Sequence, residues 1–136
     1  MPLFLQRPAE GEYLPYYEKY IARMPDGDLI ELLARHADET IALLRQQPPE
    51  IADHAYADGK WTVKQVVGHV CDAERIFSYR LLRIARADPT PLPGFDENAY
   101  VPPAGFETRT LESLLEEFAA IRQSTIALIA GLPDQA

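Results

Sequence analysis

The residue types that most often hold metal ions or move protons come together around one histidine of this chain. His69 is followed closely by Asp72 and Glu74, and imidazole and carboxylate groups are both metal ligands and proton carriers. In a helix, His69 would project at the edge of an apolar stripe that includes Val66 and Ala73. An imidazole at that position could meet a ligand from a facing helix, as in the interiors of helical bundles. The alternative is a half-buried histidine that is hydrogen-bonded to a neighbour.

Two other histidines and the single cysteine are weaker candidates. His36 lies on an apolar stripe of its own and could line the same cavity or serve as a substitute ligand, although core packing with one satisfied nitrogen is the commoner role. His54 falls in a loop and is predicted to be solvated. Cys71 has no nearby base to activate its thiol, so we interpret it as a packing residue.

The charged neighbours of His69 have two interpretations. Asp72 and Glu74 could orient the imidazole, since metal-binding histidines usually donate their other N–H to a partner. They could also pair with Arg75 or Arg80 on the helix surface. The arginines of this stretch spread around the helix, so we expect ion pairs with glutamates and no shared anion site. These arginines are Arg75, Arg80, Arg83 and Arg86.

Composition excludes several classes of protein. A net charge of -8 argues against a bare nucleic-acid binder, which normally presents a basic face. No apolar run approaches the length of a membrane span. The single cysteine permits no internal disulfide, and the N-terminal residues lack a charged leader followed by a long apolar run. We therefore expect a cytoplasmic protein of one domain that binds neither nucleic acid nor membrane.

Three segments have the apolar period of a helix and nothing alternates over strand length, which predicts an all-α fold. The predicted helices are residues 26–47, 63–87 and 111–130. Asp26 and Thr110 are the expected N-caps of the first and third, and Pro48 ends the first. Thr62 precedes the second helix, with Gln65 placed to complete a capping box.

The apolar stripes predict which faces of these helices are buried. In the second helix the predicted buried face contains Val63, Val66, Val67, Val70, Ala73, Phe77, Leu81 and Ile84. In the third it contains Leu111, Leu114, Leu115, Phe118, Ile121, Thr125, Leu128 and Ile129. We expect sequential helices to be antiparallel neighbours that cross at shallow angles.

Two further segments complete the predicted organisation. Residues 1–25 form an N-terminal segment ahead of the bundle at residues 26–136, and helical spacing of its tyrosines predicts a short helix or turn that lays aromatic rings on the bundle. The proline-rich residues 88–105 are too many for a minimal helix connection. We predict an ordered loop there whose apolar side chains pack on the bundle: Leu92, Phe95 and Tyr100.

The stretch around His69 resembles the DinB-like family. Residues 59–75 read GKWTVKQVVGHVCDAER, which matches that family's recurrent pattern Trp-[Ser/Thr]-x-x-x-x-x-x-His-x-x-x-x-Glu at the start of the second helix. Residues 83–96 and 110–118 are similar to the same family, and the resemblance extends from about residue 26 to the end. It implies an up-and-down four-helix bundle with a metal held by one histidine of the second helix and two of the fourth. By this resemblance His69 is the first of those ligands.

The resemblance also implies a fourth helix and two further histidine ligands, which these residues lack. The sequence stops just after the third predicted helix, and no paired histidines follow His69. We therefore expect the fourth helix to be missing, together with two of the three ligands. A divalent ion, zinc or nickel, is expected in the intact protein but not as a tight complex of residues 1–136. An open groove including Val70, Phe77 and Phe118 should then await a fourth helix or a partner chain.

For function, the resemblance implies a metal-dependent hydrolase or a transferase acting on low-molecular-weight thiols, with a metal ion that activates a thiol or water. No residue is nominated as general base. The alternative is a non-catalytic helical module for dimerisation in a stress response, without a functional metal site. The partners expected are a second copy of the chain, as a homodimer, and a small-molecule thiol.

Overall fold

The computed structural model describes residues 6–136, and within them the chain forms helices and loops without a strand. The α-helices are α1 (Glu18–Ile21), α2 (Leu29–Arg45), α3 (Val63–Ala85), α4 (Glu97–Ala104) and α5 (Leu111–Ala130). Short 3-10 helices occur at Pro15–Tyr17, Pro49–Asp53 and Phe106–Thr108. The all-α prediction is confirmed. In the described part of the chain, no helix is both long enough and apolar enough to cross a membrane.

Side-chain caps set where the long helices begin. The Thr62 hydroxyl accepts a hydrogen bond from the Gln65 amide at 3.2 Å, and the Gln65 side chain accepts one from the Thr62 amide at 2.9 Å. This is the predicted capping box, and it starts α3 where expected. In contrast, α2 is capped by Asp28 and not by Asp26, because the Asp28 carboxylate accepts from the Glu31 amide at 2.9 Å. Helix α2, the first of the three predicted helices, therefore begins at Leu29, three residues later than predicted.

The end of α3 is also earlier than predicted. The helix stops at Ala85, and Ala87 adopts the left-handed conformation with φ 54°. The Asp88 amide then donates to the Arg83 carbonyl at 3.0 Å, and the Asp88 carboxylate pairs with the Arg83 guanidinium at 2.6 Å. These contacts close the last turn and direct the chain away from the helix axis.

Helices α2 and α5 run in opposite directions. Arg45, the last residue of α2, pairs with Glu112 near the start of α5 at 2.5 Å. Arg122, in the second half of α5, donates to the carbonyl of Leu33 in the first half of α2 at 2.8 Å. Because the end of one helix meets the start of the other at both contacts, the pair is antiparallel.

Helices α3 and α5 run in the same direction. The Cys71 thiol donates to the Leu114 carbonyl at 3.9 Å, and further along both helices Ser78 and Thr125 share a hydrogen bond of 2.9 Å. The prediction that all sequential neighbours are antiparallel, in an up-and-down order, is therefore wrong. The 23 residues of α3 span about 35 Å, so a parallel successor requires the chain to travel back along the bundle first.

The connection that makes this return contains a helix that was not predicted. Residues 88–105 include α4, which is capped by Asp96 and Gly105 and holds Pro102 and Pro103. The Asp96 carboxylate accepts from the Asn98 and Ala99 amides, at 3.0 and 3.3 Å, and this cap starts the helix. The assignment of this stretch to a loop without helix was wrong, because a good cap outweighs two prolines near the far end of the helix.

The connection is packed on α3. Phe95 is half-buried. Its ring centre is 5.2 Å from that of Tyr100, and the Arg80 guanidinium carbon lies 5.7 Å from it. Val101 of α4 is buried. The expectation of a packed connection is met by Phe95, whereas Tyr100 remains exposed.

The core lies around α5. Its members come from α2, α3, α5 and the segment before α5: Ala37, Ile41, Val67, Cys71, Phe106, Leu114, Leu115, Phe118 and Ile121. The stripe predicted for α5 is confirmed in its central part, where Leu114 and Leu115 are fully buried. Helices α2 and α3 both pack along α5 and have far less contact with each other.

The predicted buried face of α3 is wrong for half of its members. The side of α3 that is buried carries Val67, Gly68 and Cys71. Four apolar residues of the predicted face are instead 39–66% exposed, and we name them the α3 stripe: Val66, Val70, Phe77 and Ile84. The stripe is left open because α5 packs against one side of α3 and no described element covers the other.

Three of the four N-terminal tyrosines, Tyr16, Tyr17 and Tyr20, lie in a short helical segment formed by Pro15–Tyr17 and α1. The rings of Tyr16 and Tyr20 are exposed and lie 5.9 Å apart, with the Lys19 ammonium 4.4 Å from the Tyr16 ring centre. These two rings therefore face solvent and do not cover the bundle.

Candidate functional site

An open apolar groove runs between α2 and α3, with α5 as its floor. Its volume is about 600 Å³. The walls and floor are formed by Thr40, Leu44, Val63, Val66, Val67, Val70, Leu115 and Phe118. The loop before α3 and one residue of α4 border the groove: His54, Tyr56, Gly59, Lys60, Trp61 and Asn98. Val70 and Phe118 thus lie where an open groove was expected, while Phe77 is exposed on α3 outside its lining.

His69 lies in the first part of α3, outside the lining of this groove, and contacts Trp61, which lines it. Its ring is half-buried and its centre is 5.0 Å from that of Trp61, with the two planes inclined at 44°. The side-chain hydrogen bonds that α3 makes within residues 6–136 leave the His69 ring out. The interpretation of His69 as hydrogen-bonded to a neighbour is therefore wrong for the described residues.

Phe106, in the connection between α4 and α5, packs closely against the turn of α3 that carries His69. A Cβ atom added to Gly68 would lie 2.5 Å from three atoms of the Phe106 ring. Phe106 is buried and belongs to the core cluster. The absence of a side chain at Gly68 therefore allows the ring to lie directly on the backbone of α3, and this contact fixes the turn of helix next to His69.

The Glu74 carboxylate is engaged elsewhere. It pairs with the Arg122 guanidinium at 2.6 Å, and the two side chains are only 13% and 14% exposed. Arg122 also donates to the Leu33 carbonyl. The other oxygen of Glu74, Oε2, is buried without a hydrogen-bond partner in residues 6–136. The predictions that Glu74 orients His69 or pairs with a surface arginine of its own helix are both wrong, because it joins α3 to α5 instead.

Asp72 lies three residues after His69 on α3 but makes no hydrogen bond to its ring within residues 6–136. Burial raises the pKa of the Asp72 carboxyl, the positive charge of Arg75 lowers it, and the negative charge of Glu117 raises it again. The net shift is upward. Neither predicted role of Asp72, as an orienting partner of His69 or as half of a salt bridge, is present in the described residues.

The arginines of α3 have separate partners, as their spread around the helix predicted. Arg75 and Arg109 both pair with Glu117, each at 2.6 Å. Burial raises the pKa of Glu117, but the hydrogen bonds from Arg109 and Arg75 outweigh it, and the pKa is lowered overall. Pairing with a glutamate is confirmed for Arg75 alone. Arg80 donates to the Pro93 carbonyl.

The remaining histidines do not join His69. His36 is half-buried on α2 and lies outside the lining of the groove. His54 is exposed, in agreement with the prediction, and borders the groove on the loop side.

Cys71 has the packing role that was predicted. Its side chain is fully buried, and burial raises the pKa of the thiol to about 12. Cys71 is therefore not a nucleophile at neutral pH.

The fit of a metal ion can be judged from the donors. No group of three or more His, Cys, Asp or Glu side chains within residues 6–136 is placed to hold a metal ion. His69 offers one accessible imidazole, a donor suited to zinc or nickel. A catalytic zinc site needs three protein ligands and an open position. The described residues therefore fit one ligand of such a site, and a complete site requires ligands from outside them.

Two contacts of this site escaped the sequence-based predictions. Trp61 lies just before the cap of α3, and its ring contacts His69. Phe106 packs against Gly68, and a glycine inside a predicted helix is a signal of such a close approach by another segment. That signal could have indicated a bulky residue packed beside His69.

Comparisons with known proteins agree with the resemblance. The sequence profile of the DinB superfamily matches residues 32–136. This range takes in most of α2, all of α3, α4 and α5, the groove and His69. Comparisons with curated proteins and with solved structures returned no match.

Proposed function

The chain belongs to the DinB superfamily, and from this membership we propose that the intact protein is a metal-dependent enzyme in which His69 binds a divalent zinc or nickel ion. One observation carries the proposal. The His69 imidazole is half-buried and packs on Trp61, which lines the apolar groove, and it makes no hydrogen bond within residues 6–136. A half-buried imidazole without a hydrogen-bond partner in the described residues can bind a metal ion that other residues of a bundle also hold.

We further propose that the groove holds a fourth helix of the bundle, which brings the remaining ligands. Its lining is almost entirely apolar, and the α3 stripe continues the apolar surface along the helix. An open apolar surface of this size tends to mark a site that another element covers. A helix with an apolar face would bury Val66 and Val70 and could place its own imidazoles near His69.

The chemistry that fits this arrangement is hydrolysis or the transfer of a low-molecular-weight thiol. A bound zinc or nickel ion supplies a Lewis acid that activates water or a thiol at neutral pH. The residues of the chain contribute His69 as one ligand, and Trp61 joins that ligand to the apolar groove. The exposed bordering residues Lys60 and Tyr56 are open to a polar small molecule. We place the protein in the cytoplasm, where small-molecule thiols are abundant and Cys71 stays reduced.

The test is metal content. We expect about one zinc or nickel ion per chain in the intact protein, measured by elemental analysis after metal loading and desalting. His69→Ala should abolish this stoichiometric binding and leave the helix content unchanged by circular dichroism, since alanine is a good helix former. His54→Ala is the matched control, because it removes an exposed imidazole from the border of the same groove. Full metal content in His69→Ala would exclude His69 as a ligand.

The second candidate function is a non-catalytic module that dimerises in a stress response. The α3 stripe favours it, because an exposed row of apolar residues on one helix can pair with the same row of a second copy. Metal analysis separates the two functions. An intact protein that binds no zinc or nickel after loading, and that forms a homodimer by light scattering, would support the module and refute the enzyme.

A further inference from the structure

We infer that Gly68 and Glu74 select which side of α3 packs on α5. They do so against the apolar pattern of the helix, which predicts that the α3 stripe is buried, whereas its residues are 39–66% exposed. The inference uses the described residues alone and does not depend on a metal ion. We refer to Gly68 and Glu74 as the face keys of α3.

Two rows of side chains on α3 have the same spacing and could each pack on α5. Three residues of the open α3 stripe are each followed directly by a residue of the packed side. The pairs are Val66 with Val67, Val70 with Cys71, and Phe77 with Ser78. Neighbouring residues of an α-helix are about 100° apart around the axis and about 1.5 Å apart along it. A turn of α3 by one residue therefore exchanges the two rows with little change of register.

Apolar burial alone favours the row that is left open. The open row has two valines and a phenylalanine, whereas the packed row has a valine, a cysteine and a serine. The transfer of apolar surface out of water is the main favourable contribution to folding. Something other than apolar area therefore holds α3 with its less apolar side on α5.

Gly68 is the steric key. A Cβ atom at residue 68 would lie 2.5 Å from three atoms of the Phe106 ring, which is buried. If α3 turned by one residue to bury its stripe, Val67 would take the place of Gly68 and its side chain would overlap that ring. Because a buried ring would have to move, the overlap disfavours the turned state.

Glu74 is the polar key. Its carboxylate pairs with the Arg122 guanidinium at 2.6 Å, and the two side chains are 13% and 14% exposed. In the turned state Ala73 would take the place of Glu74, and Arg122 would be left buried without a carboxylate. A stranded buried charge is strongly unfavourable, so the ion pair also opposes the turn.

The geometry of the pair favours selection over added stability. The second carboxylate oxygen, Glu74 Oε2, is buried without a hydrogen-bond partner in residues 6–136. Apolar residues in place of a buried ion pair often give an equally stable protein, whereas the best-attested use of such contacts is to select one packing. Since a helix turns as one body, this selection also keeps the ring of His69 against Trp61 and leaves the α3 stripe open to another element.

The test uses the native thiol of Cys71, which is fully buried on the packed side. In the turned state Cys71 would take the half-buried place of Asp72. The key-free variant, Glu74→Leu/Arg122→Met/Phe106→Leu, removes the polar key and loosens the steric one. Its Cys71 should react with iodoacetamide at pH 8 without denaturant, within about 100-fold of the rate of an exposed thiol, as for a turned state populated at about 1% or more.

Two further proteins calibrate the alkylation rate, which mass spectrometry measures for each thiol. Ser124→Cys in the wild type supplies the exposed reference thiol. Arg45→Met/Glu112→Leu/Phe106→Leu is the matched control, because it removes an ion pair of α5 whose side chains are half-exposed. Cys71 should stay protected in this control.

A rescue variant separates the selection of a face from a plain loss of stability. Addition of Val70→Gln/Phe77→Gln to the key-free variant makes the open row polar, so it should restore the protection of Cys71. Protection of Cys71 that persists in the key-free variant would overturn the inference. So would exposure of Cys71 that the polar row does not reverse, which is also the result expected if the key-free variant does not fold.

Discussion

Gly68 and Phe106 make the closest contact in the part of the molecule that carries His69. The ring lies where a Cβ of residue 68 would be, 2.5 Å from three of its atoms. A steric overlap that close can be relieved only by moving the buried Phe106 ring or the helix backbone. Selection of glycine inside a helix, where it is intrinsically unfavourable, is thereby explained.

We therefore expect Gly68→Ala to lower the free energy of unfolding by about 1–3 kcal/mol through overpacking. Helix propensity works in the opposite direction by about 1 kcal/mol, so a net loss would be informative. Urea unfolding followed by circular dichroism measures the change.

Gly94→Ala is the control for this substitution, since nothing lies within 4 Å of a Cβ at residue 94. It should leave the stability nearly unchanged, and Gly68→Ala/Phe106→Leu should recover part of the loss. A Gly68→Ala protein as stable as the wild type would show that the ring moves away freely.

Cys71 gives a second prediction for a single side chain. Its thiol is fully buried, and burial raises its pKa to about 12, so the native protein should not react with iodoacetamide at pH 8. Alkylation should begin only in denaturant, and mass spectrometry measures both rates. Ser124→Cys adds an exposed thiol on α5 as an internal reference. Equal reactivity of the two thiols in the native protein would contradict the buried placement of Cys71.

Among the helices, one ion pair ties three elements together. Glu74 of α3 pairs with Arg122 of α5, and Arg122 donates to the Leu33 carbonyl of α2. The pair is largely buried, so removing one partner strands a charge away from water. The Glu74 carboxylate is thereby committed to Arg122 and makes no contact with His69 in the described residues.

We expect Arg122→Met to lower the free energy of unfolding by about 3–5 kcal/mol, because Glu74 is left buried without a partner. Glu74→Leu/Arg122→Met should recover most of this loss, since both charges are then gone. Thermal and urea unfolding provide the measurement. Arg45→Met is the control, because its partner Glu112 is exposed, and its effect should be much smaller. Equal effects of the two single substitutions would refute the importance of burial.

On the scale of the whole molecule, the arrangement of helices explains the groove. Helix α5 packs against both α2 and α3 and keeps them apart. The space between them is then walled by apolar residues of all three helices. Parallel packing of α3 and α5 requires the long crossover, and the crossover in turn supplies Phe106 to the core and Asn98 to the border of the groove.

The groove predicts exposed apolar surface in residues 6–136. We expect this chain to bind a hydrophobic dye such as anilinonaphthalene sulfonate, or to self-associate by light scattering. Val66→Gln/Val70→Gln should reduce both effects, because these residues line the groove. Leu43→Gln is the control, since Leu43 is exposed on α2 outside the groove. A cooperatively melting monomer with no dye binding would show that the groove needs no occupant.

The sequence alone determined the features whose causes are local. The start of α3 follows from the reciprocal bonds of Thr62 and Gln65, and the bounds of α5 follow from its cap and its apolar period. His69 was identified from the residues around it on one helix, and Cys71 was correctly interpreted as a packing residue. Capping and periodicity act over a few residues, so the order of amino acids is enough to predict them.

Tertiary structure decided the features that depend on distant partners. The contact of Cys71 with Leu114 and the pairing of Glu74 with Arg122 each join residues more than 40 positions apart. These contacts set the parallel direction of α3 and α5. The exposure of the α3 stripe likewise depends on distant elements that leave it uncovered. A helical period identifies an apolar stripe but not which neighbour covers it, because several packings bury similar areas. The contact of Trp61 with His69 likewise arises only once the loop before α3 is closed and the helix is formed.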